Sequence, residues 1–213
     1  ARHHSMSSDP NVHPEAKTIV EKFRKDLEEY HGLVGGRLVA IHDMLNSIAM
    51  THGKPPLPPP AVAFLCDVSE EQVKNQGSDG PIVSCDQLVS CFSKMIPAKD
   101  TPEIFEEKVI SQVREASKRR RHSNAVMPEL KPKLEALHAK TEGNPDKLYA
   151  WFLDLIPADN KEGFPKEAFL AVIMRCPPDA TQIPLKNFIS GIEGSMDESD
   201  SIENLGPIID KHM

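Results

Sequence analysis

Oxygen-bearing side chains gather between residues 75 and 86, in a segment whose spacing is close to that of a calcium-binding loop. An EF-hand loop places oxygen ligands at its positions 1, 3, 5 and 12. Asn75 and Asp79 match positions 1 and 5, but Gly77 supplies no side-chain ligand at position 3. Asp86, at position 12, is one methylene shorter than the usual bidentate glutamate. We therefore interpret the segment as a glycine-rich connector, with a degenerate, calcium-responsive EF-hand as the weaker alternative.

A basic run is the second candidate for chemistry: Lys118, Arg119, Arg120 and Arg121 follow one another. Such a run could bind the phosphate groups of a polyanion. The arginines ahead of Ser123 also match the pattern that basophilic kinases read, which makes Ser123 a candidate for phosphorylation. However, the chain carries a net charge of −7, and like charges in a row repel one another. We expect an exposed linker or helix end, with a nucleic-acid-associated subunit as the alternative function.

Familiar catalytic signatures are absent from the sequence. It contains no G-x-S-x-G, no H-E-x-x-H, no P-loop and no Rossmann glycine motif. None of the four cysteines forms a C-x-x-C pair, which favours buried, reduced thiols in an intracellular protein, cytoplasmic rather than nuclear. No apolar run is long enough to cross a bilayer. We therefore expect no enzymatic activity, no cofactor and no membrane insertion.

The elements that would position these residues are predicted to be helices. Aromatic residues make up only 5% of the chain, which argues against an all-β fold. Between Ile19 and Ile48 the apolar residues recur at a mean spacing of about 3.6, as on one face of a helix. Glycines near residues 32–36 could kink that helix. Consecutive prolines then favour an extended spacer. We expect a disordered tag or tail over 1–13, a long amphipathic helix over 14–53, a proline-rich spacer over 54–60, a helical body over 61–193 and an acidic, mobile tail over 194–213.

Short helices with clear start signals make up the predicted body. Ser69 with Gln72, and Ser84 with Gln87, each form the pattern of a capping box. The segments 82–113 and 145–173 resemble each other at an offset of 60 residues, which suggests a duplicated helix pair. An orthogonal helical bundle and a short α-solenoid both fit this pattern. The predicted fold class is all-α.

An interaction role follows from the apolar stripe of the N-terminal segment. Isolated helices gain little stability from propensity alone, so this stripe needs a partner. The partner is either the body of the same chain or another protein, including a second copy bound through this segment. We therefore predict a non-enzymatic protein–protein interaction module, such as an adaptor, a scaffold or a subunit of a complex.

Overall fold

The computed structural model describes residues 13–74, 80–156 and 164–213. Within these ranges the regular elements are helices, and an isolated antiparallel bridge pairs Arg37 with Ile82. The all-α prediction is confirmed. Helices α7 and α10 each continue into a π-helical turn, Glu106–Ile110 and Phe169–Ile173. The helices are α1 (Ala16–Lys22), α2 (Arg24–Val34), α3 (Leu38–Thr51), α4 (Pro59–Leu65), α5 (Glu70–Lys74), α6 (Cys85–Met95), α7 (Pro102–Phe105), α8 (Ser111–Thr141), α9 (Pro145–Leu155), α10 (Lys166–Ala168), α11 (Leu185–Ser195) and α12 (Ile202–His212).

The single long helix predicted over 14–53 is wrong, because this segment forms α1, α2 and α3 instead. The first break lies at Phe23, whose φ of −109° and ψ of 15° are not helical. The second lies at Gly35 and Gly36, whose φ values of 62° and 65° are left-handed. Left-handed glycines are a common end to helices. The regular apolar spacing resembled that of one helix because three successive helices each turn an apolar face to one core.

The chain divides into two compact units, Ala1–Lys118 and Arg119–Met213, and the division falls inside α8. Each unit has its own hydrophobic core. The first core includes Ile19, Leu27, Ile41, Leu45, Leu88 and Phe92. The second core includes Leu130, Leu134, Leu148, Trp151, Phe169 and Phe188.

The two units share one order of elements. Apart from α1 and α5, which belong to the first unit alone, each has a helix that ends at a glycine, followed by a second helix, a proline-led helix, a fourth helix and a last one with a Thr or Ser cap. In the first unit these are α2, α3, α4, α6 and α7; in the second they are the end of α8, then α9, α10, α11 and α12. The similarity at an offset of 60 residues stays a prediction, since it pairs α6 with α9, whereas the shared order pairs α6 with α11.

A tight glycine turn joins α2 to α3 in the first unit. His31 Nε2 donates to the carbonyl oxygen of Val83 at 2.8 Å. Gly36 N–H donates to the carbonyl of His31, and the Gly36 carbonyl accepts from Val83 N–H at 2.9 Å. A Cβ built on Gly36 would lie 2.5 Å from the Val83 oxygen. The turn therefore admits only glycine, for steric reasons as well as for its φ.

The second unit repeats this turn, 107 residues further along the chain. His138 Nε2 donates to the carbonyl of Ile183 at 2.7 Å. Gly143 has a φ of 65°, donates to the carbonyl of His138 and accepts from Ile183 N–H at 2.8 Å. A Cβ on Gly143 would lie 2.6 Å from the Ile183 oxygen. Three hydrogen bonds of the same kind, together with the same steric block at the glycine, are thus shared by the two units.

Both predicted capping boxes are confirmed, and they bind each other. Ser69 Oγ accepts from Gln72 N–H, and Ser84 Oγ accepts from Gln87 N–H. In turn, the side-chain oxygen of each glutamine accepts a hydrogen bond from the backbone N–H of its serine. The two glutamine amides also pair reciprocally, at 3.0 and 2.9 Å. This amide pair joins the starts of α5 and α6.

The predicted mobile tail over 194–213 contains a helix, α12, whose Leu205 and Ile209 are buried in the second core. Ser201 caps α12 by accepting from Asn204 N–H. The Ser-, Asp- and Glu-rich composition predicted mobility, but two buried side chains one turn apart are enough to pack this helix against α9.

Candidate interaction surface

Of the three candidate calcium ligands, the structure describes Asp86. Asn75 and Asp79 lie outside the described residues. Asp86 is in the first turn of α6, where its carboxylate accepts two hydrogen bonds from the Arg24 guanidinium, both at 3.0 Å. Across 13–74, 80–156 and 164–213, no group of three or more His, Cys, Asp or Glu side chains could hold a metal ion.

The basic run lies within α8 and is not the extended linker that the sequence predicted. The helix continues through Pro128 and Pro132, although each proline removes a backbone donor. Arg120 points into the second unit, where Nη2 meets Glu193 Oε1 at 2.7 Å. These side chains are 11% and 18% exposed. The other three residues of the run, Lys118, Arg119 and Arg121, are exposed.

Ser123 is buried, with 1% of its surface exposed. Its Oγ donates to the carbonyl of Glu193 at 3.2 Å. A kinase needs the serine and its flanking residues in an accessible strand of chain, whereas this serine faces the core from a helix. The burial argues against phosphorylation of Ser123 in the folded protein and corrects the prediction made from the preceding arginines.

The most exposed large apolar side chain in the described part of the chain is Phe64, at 80%. It lies on α4 midway between Val62 and Cys66, which are both buried. Residues two apart lie on nearly opposite sides of a helix, so burial of Val62 and Cys66 turns Phe64 outward. Phe64 is therefore a fixed feature of α4 and not a side chain that could turn inward.

Val172 occupies the same place in the second unit and is 67% exposed. It lies between two buried residues, Leu170 and Met174, as Phe64 does between its own neighbours. Each of the two also stands three residues before a non-glycine residue of positive φ, Asp67 or Arg175, both at 51°. The two units thus present an apolar side chain at one shared position, which we call the repeat position.

A second apolar pair belongs to the first unit alone. Val39 and Ile82 are 41% and 58% exposed; Ile82 is a member of the bridge with Arg37, and Val39 follows Arg37 by two residues. The matching positions of the second unit are Asp146 and Gln182, which are polar. The repeat position is therefore the exposed apolar feature that the two copies have in common.

The exposure of Phe64 and Val172 was not predicted from the sequence. Phe64 is followed by Leu65, and Val172 stands between Ala171 and Ile173, so no polar neighbour marks an outward face. The signal that relates them is their equal distance from a left-handed residue, which a sequence does not display when that residue is Asp or Arg.

Comparison with known protein families, with characterised proteins and with solved structures finds no match for this chain. In the part of the chain that the structure describes, no helix is both long enough and apolar enough to cross a membrane.

Proposed function

We propose that this protein is a non-enzymatic protein–protein interaction module in which each unit presents its repeat position to a partner protein. The observation that carries the proposal is the exposure of Phe64 and Val172 at one shared place in two copies of one architecture. Single exposed apolar residues are common on protein surfaces, but the same exposure at a repeated place is a more specific feature.

The energetics support a contact at this position. Removing a Phe or Val side chain from water contributes about 1.5–3 kcal/mol, and aromatic residues are enriched among the residues that dominate interfaces. Both side chains project from backbones held by buried neighbours on either side. A partner would therefore meet them with little loss of conformational freedom in this chain.

Two equivalent positions in one chain suit an adaptor or scaffold. A partner that recognises one repeat position has a related one available in the same molecule. The residues differ, Phe against Val, so the units would bind one class of apolar segment with different strengths. We propose a partner segment that is itself apolar, such as the exposed face of a helix.

Substitution at the repeat position tests the proposal. Full-length tagged chain is used to capture partners from its own cells, and a partner found by mass spectrometry is then purified and its binding measured directly. Phe64→Ser and Val172→Ser should each weaken that binding, and the double variant should weaken it more. Met50→Ser is the matched control, since Met50 is 66% exposed but does not occupy the repeat position.

Unchanged binding by the folded double variant would contradict the proposal. So would a loss confined to Met50→Ser. Recovery of nucleic acid that is released by moderate salt would favour the alternative function, which uses the exposed residues of the basic run.

A further inference from the structure

Two cysteine thiols face each other inside the first unit. Cys66 follows the last residue of α4, and Cys91 lies in the middle of α6. Neither has any exposed surface, and both lie in the first hydrophobic core. Both are free thiols in this structure.

The backbone around Cys66 is fastened to the face of α6 that carries Cys91. Lys94 Nζ donates to the carbonyl of Leu65 at 3.0 Å, just before Cys66. Gln87 Nε2 donates to the carbonyl of Asp67 at 2.9 Å, just after it. Gln87 and Lys94 lie four residues before and three residues after Cys91, which places all three on one face of α6. The facing of the thiols is thus built into the packing of α4 on α6.

The two thiols are not equivalent. The neighbouring Cys91 thiol lowers the pKa of the Cys66 thiol against the opposing effect of burial, and the nearby Lys94 ammonium lowers it further. The neighbouring Cys66 thiol, followed by burial, raises the pKa of Cys91. Cys66 is therefore the thiol that ionises first.

We propose that Cys66 and Cys91 are a dithiol site that a small hydroperoxide closes reversibly to a disulfide. In the first step the Cys66 thiolate attacks the O–O bond, so that an S–O bond forms, the O–O bond breaks and hydroxide leaves. In the second step Cys91 gives up its proton and attacks the Cys66 sulfur, so that the S–S bond forms and hydroxide leaves again. Two thiols lose two electrons, and hydrogen peroxide is reduced to two molecules of water.

An ion pair with solvent-exposed side chains stands near the Cys66 thiol. Asp67 Oδ2 and Lys94 Nζ form an ion pair at 2.6 Å, and these side chains are 58% and 36% exposed. Asp67 directly follows Cys66 in the chain, and Lys94 lies three residues after Cys91. A small oxidant therefore needs only a local opening of this pair, and a bulky disulfide reagent should react more slowly than peroxide.

Peroxide treatment of the full-length folded chain tests the proposal. After treatment, free thiols are alkylated and counted, and the peptides are mapped by mass spectrometry. The count should fall from four per chain to two, with a Cys66–Cys91 cross-link that dithiothreitol reverses. Cys176→Ser is the matched control in the second unit and should leave the cross-link unchanged.

The order of the steps is tested with Cys91 variants. Cys91→Ser, or Cys91→Ala if the serine variant does not fold, should stop the reaction at a sulfenic acid on Cys66 that dimedone traps. A folded chain that keeps four thiols would overturn the proposal. So would disulfides between chains, or a first oxidation at Cys85 in place of Cys66.

Discussion

At the scale of single residues, histidine side chains repeatedly fasten the backbone through Nε2. The acceptor is a backbone carbonyl in each case, so Nε2 must carry the proton. The pairs are His31 with Val83, His42 with Leu57, His52 with Lys108, His122 with Asp200 and His138 with Ile183.

Gly143→Ala is expected to destabilise the second unit by about 2 kcal/mol or more, because the new Cβ meets the Ile183 oxygen and the backbone stays left-handed. Gly194→Ala is the matched control. Gly194 lies within α11 with no atom within 4 Å of a built Cβ, so alanine should stabilise the helix by about 0.5–1 kcal/mol. Denaturation followed by Trp151 fluorescence measures both, and equal effects of the two substitutions would contradict the steric argument.

Arg120→Ala should cost about 2–4 kcal/mol, because it removes the guanidinium that meets the largely buried Glu193 carboxylate. The neighbouring Arg119 is exposed, so Arg119→Ala should change stability by no more than about 0.5 kcal/mol. Chemical denaturation separates these outcomes. If the two substitutions had the same small effect, the basic run would be a uniformly solvated surface, as the sequence predicted.

At the scale of helices, local signals in the sequence predicted several starts correctly. The capping boxes at Ser69 and Ser84 use only residues three apart, so their chemistry is readable without tertiary structure. The glycines at 32–36 predicted a kink where α2 ends, but the end of α8 was not predicted. Each end also depends on a histidine that binds a carbonyl at Val83 or Ile183, 52 or 45 residues away. Contacts over such distances are set by packing, and a single sequence does not display them.

The core position predicted for Trp151 and Phe152 is confirmed, since both are buried on α9. Phe152 packs on Phe169 with ring centroids 4.9 Å apart. Phe152→Ala should therefore cost about 3–5 kcal/mol through lost burial and the cavity left behind. Urea denaturation gives the value, and a loss below about 1 kcal/mol would mean that this face of α9 is not part of the core.

The attachment of α12 to α9 should weaken in strong acid. Hydrogen bonds from Lys211 and then His212 lower the pKa of Asp154 from 3.8 to about 2. Because the folded-state pKa is the lower one, this contribution is complete above about pH 4 and is lost as the pH falls toward 2. Asp154→Asn should raise amide hydrogen exchange in α12 near neutral pH, at a cost of about 0.5–1 kcal/mol. The variant and the parent should then converge near pH 2, and a constant difference across this range would contradict the assignment.

At the scale of the whole molecule, we expect two separate unfolding transitions, because each unit has its own hydrophobic core. Trp151 is the single tryptophan of the chain and lies in the second unit, so its fluorescence reports that unit alone. Circular dichroism reports both. We expect Gly36→Ala to lower the midpoint of one part of the dichroism transition and to leave the fluorescence transition within about 0.5 kcal/mol of the parent. A single transition shifted equally in both signals would show that the units unfold as one.

The repeated glycine turn bears on the ancestry of the protein. His31 and Gly36, like His138 and Gly143, are separated by four residues, and in each turn the glycine is closed to every larger side chain. Descent from a duplicated gene segment would leave such a shared pair behind. A histidine five residues before a glycine at a helix end, followed some 40 to 47 residues later by a β-branched residue ahead of another helix, is therefore a short signature. It would identify other chains built from this unit after their remaining sequence has drifted beyond recognition.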